Sequence, residues 1–300
     1  MTDLVIRHLA AGEEHLFQQI PDHPAVGKGA FGHQWATVDQ GGEYRLDWCW
    51  IALRDDRVVA RAAWWAGPTD EAPLALDWFD FTDAEAGTEL LRAAPLRAEY
   101  ALLLPPRWRD DAAVRADVQA RIDAAAAAGM EPLVERFQYE WTPECGVPER
   151  PGRLVFREEP DDEKILDVLR LVEQGSLDAH ARKAVDEGGV DQAAREELEF
   201  FQWCPSPREW WQLAYTPEGD LVGLHIPARN HTNPIVGFIG VVPAQRGRGY
   251  AYDLLVETTH VLAAQGVSKI VATTDFGNEP MARNFAKAGY PVIQERYFMH

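Results

Sequence analysis

The sequence predicts an α/β protein made of two similar domains, each with a mixed central sheet flanked by helices. Two observations support this fold class: several segments recur in the same order along the chain, and a short stretch rich in proline and glycine separates the two sets. The chain of 300 residues suits two domains of ordinary size, and a hydrophobic content of 46% is sufficient for two cores.

The repeated segments begin with a strand and a helix and continue with a hairpin. "LVIRHLAAGEEHLFQQI" starts at Leu4 and "LVFREEPDDEKILDVL" at Leu154, and each combines a short apolar strand, a polar turn and an amphipathic helix. Further on, residues 50–65 and 211–226 both contain two apolar runs around a charged or glycine-containing turn, which is the pattern of a β-hairpin. A duplicated domain explains these matches together.

Each half closes with an alanine-rich helix, a glycine and a last strand. The closing segments are "AGMEPLVERFQYEW" and "AGYPVIQERYFMH". A glycine directly after a helix is a common helix end. Three identities at one common spacing connect the two copies: Gly129 with Gly289, Glu135 with Glu295, and Arg136 with Arg296.

The stretch between the copies has the composition of a linker. Residues 142–152, "TPECGVPERPG", contain three prolines and two glycines, which interrupt both helix and strand periodicity. We therefore predict one domain at residues 1–141 and a second at 153–300, joined by a linker at 142–152.

The charge limits the classes of partner. Lys and Arg number 29 against 48 Asp and Glu, so the formal net charge is −19. This charge repels a phosphate backbone, so we expect no nucleic-acid partner, and it mildly favours a cationic or amine-bearing small substrate.

The sequence lacks a signal-peptide pattern and an apolar run of roughly 20 residues, so we expect a soluble cytoplasmic protein without a membrane partner. We expect a monomer or a homodimer.

The cysteines do not indicate a structural framework. Cys49, Cys145 and Cys204 are too few and too scattered for a set of disulfides or a zinc cluster. We expect free thiols and no bound metal.

A glycine-rich turn in the second half has the features of an anion site. The apolar strand "PIVGFIGVVP" ends at Pro243, the turn "AQRGRGYA" follows, and a helix then runs to about Gly266. Such a turn presents free backbone N–H groups at the positive end of a helix dipole, which suits a phosphate or pyrophosphate. Gly247 and Gly249 let the backbone approach the ligand, and Arg246 and Arg248 add positive charge. An ordinary turn with solvated arginines is the alternative interpretation.

These residues resemble the GNAT superfamily of acyl-CoA-dependent N-acyltransferases. The run from Arg246 to Ala251 matches the pyrophosphate loop of that family, and Asn278 followed by Gly289-Tyr290 matches its second motif. The motifs cover residues 235–290, and the whole chain looks like the two-domain members of the superfamily that are common in high-GC bacteria.

The resemblance implies a fold, a co-substrate and a set of contacts. Two parallel strands in the C-terminal copy would splay apart to hold the pantetheine arm of acetyl-CoA, or of another acyl-CoA. The backbone of Ile239, Gly240 and Val241 would bind the arm on one side and Asn278 would face it from the other, while the turn from Arg246 through Gly247, Arg248, Gly249 and Tyr250 to Ala251 would hold the pyrophosphate. A backbone N–H near Val241 would polarise the thioester carbonyl.

The first copy lacks these features. Where the second copy has its glycine turn, the first has Asp80, Asp83 and Glu85, and carboxylates at that position would repel a pyrophosphate. We therefore expect residues 1–141 to form a degenerate GNAT-like domain without a CoA loop, and residues 153–300 to form the catalytic domain.

The groups that move protons are left open by the sequence. Members of the superfamily often use a tyrosine seven residues after the asparagine as the acid, but here that position is Phe285, which we expect to line the pantetheine slot instead. Tyr250 and Tyr297 are the first alternatives for the acid, with water as another. His231 and Asp275 are the candidates for the base. His225, within a strand, is expected to be a core histidine.

The predicted function is the transfer of an acetyl or other acyl group from acyl-CoA to a primary amine of a small molecule. A catalytically inactive CoA-binding regulator is the alternative. A less favoured one is a transferase of the peptide-bridge type that takes aminoacyl-tRNA, because the acidity of the chain and its intact CoA loop argue against it.

Overall fold

The computed structural model describes residues 3–27, 34–67 and 70–300. Two compact units contain them: an N-terminal unit of Met1–Glu135 with Gln294–His300, and a C-terminal unit of Arg136–Ile293. In chain order the elements are β1 (Val5–His8), α1 (Glu14–Phe17), β2 (Cys49–Arg54), β3 (Arg57–Trp65), β4 (Ala75–Phe81), α2 (Ala84–Ala93), β5 (Glu99–Leu104), α3 (Ala112–Ala127), β6 (Pro132–Trp141), β7 (Val155–Glu158), α4 (Asp162–Glu173), α5 (Ala179–Trp203), β8 (Gln212–Tyr215), β9 (Leu221–Arg229), β10 (Pro234–Val241), α6 (Tyr250–Ala263), β11 (Ile270–Asp275), α7 (Glu279–Lys287) and β12 (Val292–Met299).

Both units have the same sheet topology. In the N-terminal unit the strand order is β1-β2-β3-β4-β5-β12, and in the C-terminal unit it is β7-β8-β9-β10-β11-β6. Among the described strands, neighbours are antiparallel except for one parallel pair in each unit, β4 with β5 and β10 with β11. The structure therefore confirms the predicted α/β class, with mixed β-strands flanked by helices in each unit.

The last strand of each unit comes from the other half of the sequence. Residues 136–141 of β6 pair with β11 in the C-terminal unit. Residues 295–299 of β12 pair with β5 in the N-terminal unit. The boundary between the two units therefore lies within β6, between Glu135 and Arg136.

The predicted hairpins form in both units. The turn between β2 and β3 consists of Asp55 and Asp56 at φ 52° and 59°, both in the left-handed region that a two-residue hairpin turn of type I′ requires. Aspartate tolerates this conformation better than most residues because its short polar side chain can bond locally. In the C-terminal unit β8 and β9 form the corresponding hairpin.

The helices that follow the first strand differ between the units. In the C-terminal unit α4 and α5 are long, and α5 is broken at Gly189, whose φ of 82° is not helical. In the N-terminal unit α1 is a single turn, although the sequence pattern predicts a longer amphipathic helix. Pro21 and Pro24 follow this turn, and proline cannot continue a helix because it lacks the N–H donor and its ring collides with the preceding turn.

The sheet of the C-terminal unit is packed on both faces. Leu169 of α4 and Phe201 of α5 belong to a buried cluster with Ile226 of β9 on one face. On the other face Leu255 of α6 and Phe285 of α7 pack with strands β6 and β11. None of the helices in the described part of the chain combines the length and the apolarity that a membrane crossing needs.

Candidate active site

Strands β10 and β11 separate soon after they begin. Within the described residues their parallel pairing is limited to Ile235 opposite Val271. Beyond that point, residues 236–241 of β10 and Thr273 and Thr274 of β11 line a common cleft of about 590 Å³. A mixed sheet thus opens into a slot at the carboxyl ends of its two parallel strands.

The free edge of β10 directs backbone groups into this slot. The N–H of Val242 donates to the carbonyl of Val222 on the β9 side. Hydrogen-bonding directions alternate along an antiparallel pair, so Gly240 also faces β9, whereas Ile239 and Val241 face the opposite edge. The N–H groups of Ile239 and Val241 and the carbonyl of Ile239 are therefore directed towards the slot, in the segment predicted to bind a pantetheine arm.

A glycine in β10 allows helix α4 to pack closely on one face of the strand. A Cβ atom on Gly240 would lie 2.6 Å from Cγ1 of Val172, which is far closer than two carbon atoms can approach. The absence of a side chain at Gly240 therefore lets α4 pack directly on the strand that forms the slot.

The glycine turn leaves the N-terminus of α6 open. Gly249 is the N-cap residue at φ 77°, and within the described residues no side chain caps the helix. Gly247 has φ 78°, so both glycines occupy the left-handed region that other residues rarely adopt. Because the first N–H groups of a helix have no intrahelical acceptor, those at the start of α6 are available to an anion.

Arg153 orients this turn from behind. Its Nη1 donates to the carbonyl of Arg248 at 3.1 Å, and its Nη2 donates to the carbonyl of Gly249 at 3.2 Å. In a trans peptide the carbonyl and the following N–H point in opposite directions. The N–H groups of Gly249 and Tyr250 are therefore turned away from Arg153, towards the side where an anion can approach.

Asp253 holds Arg153 in this orientation. The carboxylate of Asp253, whose side chain is 3% exposed, accepts from Nε of Arg153 at 3.0 Å and also from Nη2. The hydrogen bond and the charge of Asp253 raise the pKa of Arg153 above its ordinary value. The pair thus forms a fixed support under the turn.

Arg246, which the motif places at the pyrophosphate, binds backbone carbonyls of the chain instead. Its guanidinium donates to four backbone carbonyls, those of Val241, Val172, Gln174 and Gly175. The bonds to Val172, Gln174 and Gly175 satisfy carbonyl groups at the C-terminal end of α4, which lack intrahelical partners. Arg246 therefore joins the turn to α4, and Arg248 is exposed at the surface.

The other wall of the slot comes from α7. Asn278 is the N-cap of this helix, and its side-chain oxygen accepts from the N–H of Met281 at 3.3 Å. Phe285 is 1% exposed and stacks on Tyr139 with ring centroids 4.3 Å apart. Both Asn278 and Phe285 line the cleft.

The cleft brings together most of the residues predicted to bind the co-substrate. Seven of them line it: Ile239, Gly240, Val241, Arg246, Ala251, Asn278 and Phe285. The remaining loop residues, 247–250, connect Arg246 to Ala251 and are exposed or half-exposed.

Carboxyl groups line the side of the cleft formed by α4 and α5. Glu173, at the end of α4, is 6% exposed, and within the described residues its Oε2 has no hydrogen-bond partner. Burial and the nearby Asp178 raise the pKa of Glu173 above its ordinary value. Burial, together with the charges of Glu173 and Asp178, raises the pKa of Glu197 to about 7.

Arg136 anchors the start of α5 beside these groups. Its Nε donates to Oδ1 of Asp275 at 2.7 Å, and its Nη2 donates to Asp178, the N-cap of α5. The other oxygen of Asp275 accepts from the N–H of Ala179 at 2.6 Å. Burial raises the pKa of Asp275, and the positive charge of Arg136 acts against that rise. Both oxygens of the sequence-predicted base Asp275 are thus engaged in holding α5.

The other predicted proton-transfer groups lie apart from the cleft lining. His231 is in the exposed loop before β10, and its ring is 4.2 Å from that of Trp203. Tyr250 is the first residue of α6, and its ring lies 5.1 Å from the guanidinium carbon of Arg153. Tyr297 belongs to β12 in the N-terminal unit, opposite Leu102. Burial raises the pKa of Tyr297.

His225 has the core position that the sequence predicts. Its ring is fully buried and lies within hydrogen-bonding distance of Thr258 Oγ1 at 2.9 Å and Gln212 Oε1 at 3.0 Å. Burial lowers its pKa to about 4. The imidazole is therefore neutral and held in place at neutral pH.

In the equivalent turn of the N-terminal unit, an aspartate side chain caps the start of the helix. Asp83 is the N-cap of α2, and its Oδ1 accepts from the N–H groups of Glu85 at 3.1 Å and Ala86 at 3.2 Å. Asp80 is 5% exposed and forms ion pairs with Arg61 and Arg121, both at 2.8 Å. The chain's own carboxylate thus occupies the helix N–H groups that an anion would need.

Sequence reasoning missed the four residues that support the slot and its acidic side. Arg153 and Arg136 lie far from the motif along the chain, so their roles depend on the fold. Glu173 and Glu197 carry a local signal: each lies four residues after an apolar residue of the buried helix face, Leu169 and Ala193. A charged residue on an apolar stripe is a pointer to a functional site.

Comparisons with known proteins agree with this geometry. Residues 179–290 match the sequence model of the acetyltransferase (GNAT) family. The whole chain is similar in fold to a GCN5-related N-acetyltransferase from Sphaerobacter thermophilus, with 15% identity, a TM-score of 0.55, and coverage of 99% of this chain and 94% of that one. It is also similar to a tandem GNAT protein from the clavulanic acid biosynthesis pathway, with 16% identity, a TM-score of 0.51, and coverage of 99% and 98%. A search of curated protein sequences found no match.

The family match covers α5, β10, the glycine turn, α6, β11 and α7, which are the elements that form the slot and most of its walls. Residues 179–290 therefore match the GNAT acetyltransferase family, and the chain as a whole shares its fold with these two solved structures.

Proposed function

We propose that the C-terminal unit transfers an acyl group, in the first instance acetyl, from acyl-CoA to the primary amine of a small molecule. The observation that carries this proposal is the continuity of the cleft. It extends from the splayed strands β10 and β11 to Arg246 and Ala251, at the two ends of the open glycine turn. A long, narrow co-substrate with an anionic end fits this combination of features.

The residues of the chain supply binding and positioning. The N–H groups at the start of α6 bind the pyrophosphate, and Arg153 keeps them directed towards it. The backbone of Ile239 and Val241 binds the pantetheine arm, with Asn278 and Phe285 on the other side. The N–H of Val241 donates to the carbonyl oxygen of the acyl group, as an oxyanion hole does. The thioester supplies the acyl group.

The N-terminal unit binds no acyl-CoA in this proposal. Asp83 caps α2, and Asp80 is held in a buried ion-pair network with Arg61 and Arg121. A pyrophosphate would have to displace the Asp83 carboxylate and would be repelled by it. We therefore expect one co-substrate molecule per chain.

Release of the CoA thiol tests the proposal. The full chain is incubated with acetyl-CoA and a panel of polyamines, aminoglycosides and amino acids, and free thiol is measured with a chromogenic reagent. We expect thiol release with at least one amine, above a matched reaction with the Gly249→Asp variant. If the chain binds CoA but releases no thiol with any amine of the panel, the proposed transfer is wrong.

A second candidate, a CoA-binding regulator without activity, is favoured by one observation. Among the described residues that line the cleft there is no tyrosine. Phe285 stands seven residues after Asn278, where the resemblance to the superfamily implies a tyrosine that acts as the acid. A thiolate, however, is a good leaving group near neutral pH, because its conjugate acid has a pKa of about 8.5. We therefore favour the enzyme, and the thiol assay separates the two functions.

A further inference from the structure

We infer that Glu173 and Glu197 form the acceptor site, and that the acceptor carries a second cationic group besides the amine that reacts. In this arrangement Glu173 binds the second cation and Glu197 receives the proton of the reacting amine. The inference rests on the proposed function and specifies its acceptor.

Glu173 provides the observation that points to a ligand. Its side chain lines the cleft and is 6% exposed, yet within the described residues Oε2 has no hydrogen-bond partner. A buried carboxyl oxygen without a donor is costly and is rare in folded proteins. A ligand ammonium or guanidinium in the cleft supplies the missing donor and a charge opposite to that of the carboxylate.

The charges around this site leave it acidic. Glu173, Asp178, Glu196 and Glu197 all line the cleft. Arg136 lines it as well, but its guanidinium is already bound to Asp178 and Asp275. Arg246, the other arginine of the described lining, donates to four backbone carbonyls, three at or just after the end of α4 and one on β10. The excess negative charge favours a cationic acceptor over a neutral or anionic one.

Glu197 is suited to accept a proton near neutral pH. It faces Glu173 from α4, Asp178 at the start of α5 and Arg136 from β6, and its pKa is raised to about 7 mainly by burial. An alkylammonium has a pKa of about 10.4, so it must lose a proton before its nitrogen can attack. A base with a pKa near the working pH is the efficient choice for this step.

The transfer balances with these groups alone. The ammonium first gives one proton to the Glu197 carboxylate, which releases it to solvent. The neutral amine nitrogen then forms a bond to the acyl carbon while the carbon–sulfur bond breaks, and it gives its second proton to the same carboxylate. The thiolate leaves as CoA and takes a proton from solvent. No oxidant or reductant is needed.

Calorimetry with two matched ligands tests the site without acyl-CoA. The full chain is titrated with 1,4-diaminobutane and with 1-aminobutane, which has the same carbon chain but a single amine. We expect the diamine to bind roughly 10- to 100-fold more tightly, since one charge-assisted hydrogen bond distinguishes them. Glu173→Gln should remove this preference, and Glu199→Gln, an exposed change on α5, should keep it. Thermal melting checks that each variant is folded.

Glu197→Gln provides an independent readout. In titrations repeated in buffers of different ionisation enthalpy, diamine binding to the unaltered chain should release protons, because the ligand's charge lowers the carboxyl pKa values. This release should decrease in Glu197→Gln. Equal affinity for both ligands, or an unchanged preference in folded Glu173→Gln, would overturn the inference.

The outcomes separate this inference from the proposed function. Diamine binding that depends on Glu173, without any thiol release, supports the acceptor site and contradicts the transfer. Thiol release with both ligands at equal efficiency, unaffected by Glu173→Gln, supports the transfer and contradicts the acceptor site.

Discussion

Replacing Gly249 with aspartate should weaken CoA binding while the chain stays folded. Gly249 caps α6 at φ 77°, a conformation that aspartate and asparagine adopt more easily than other residues with side chains. A Cβ atom there would contact only Nη2 of Arg153 at 3.8 Å among the described residues within 4 Å, an ordinary van der Waals distance. The N-terminal unit already uses an aspartate N-cap, Asp83, at the equivalent helix.

The size of the effect follows from the charge that is introduced. A carboxylate about 5 Å from a phosphate charge costs about 1 kcal/mol in bulk water and about 3 kcal/mol at an effective dielectric constant of about 20. The dissociation constant of CoA should therefore rise roughly 5- to 150-fold. Gly249→Asn is the matched control, because it has the same shape and backbone strain without the charge.

Isothermal titration of both variants with CoA measures the difference, and circular dichroism melting confirms that they fold equally well. The Asp variant should bind more weakly than the Asn variant by the stated factor. Equal affinity of the two folded variants would mean that the start of α6 does not face the pyrophosphate.

Three further predictions concern the support of the turn, the missing tyrosine and the carboxyl base. Arg153→Met should raise the dissociation constant of CoA roughly tenfold or more, because it removes the hydrogen bonds to the carbonyls of Arg248 and Gly249. The KM of the acceptor should change little. An unchanged CoA affinity would contradict this positioning role. Phe285→Tyr should leave turnover within about tenfold, and a strong increase would mean that the chain lacks an acid it needs. For Glu197, whose pKa is raised from 4.5 to about 7, kcat/KM should rise as the pH increases through about 7, and Glu197→Gln should lose this limb. Between pH 4.5 and about 7 the folded chain retains this proton and the unfolded chain releases it. The contribution of Glu197 to stability is therefore full below pH 4.5 and is lost as the pH rises through about 7. The melting temperature of Glu197→Gln minus that of the unaltered chain should be larger at pH 8 than at pH 5.

The sequence predicts the fold where local patterns determine it. The hairpins, the glycine turn and the helix ends depend on neighbouring residues, such as Asp55 and Asp56 in one turn, and each forms where it is expected. The single-turn α1 departs from its helical pattern because Pro21 and Pro24 follow it.

The exchanged last strands could not be predicted in the same way. β6 and β12 are copies of one segment, with Glu135-Arg136 in one and Glu295-Arg296 in the other. Either copy satisfies the hydrophobic pattern of either sheet, so the choice depends on long-range packing that a local pattern does not contain.

In the candidate site, too, local patterns predict some features and long-range contacts determine the others. The glycine turn is visible in the sequence because glycine at a strand-to-helix junction has a distinct physical use. The positions of Arg136, Arg153 and Glu173 are set by contacts between distant segments, and only the fold shows that Arg153 supports the turn. For Glu173 and Glu197, an acidic residue on an apolar helix stripe was the available sign.

Hydrogen–deuterium exchange of the full chain with and without CoA reports directly on where CoA binds. We expect CoA to slow exchange of the backbone N–H groups at residues 247–251 and 239–241, with no change at residues 83–87 of the N-terminal unit. Absence of protection at 247–251, or equal protection at 83–87, would contradict this prediction.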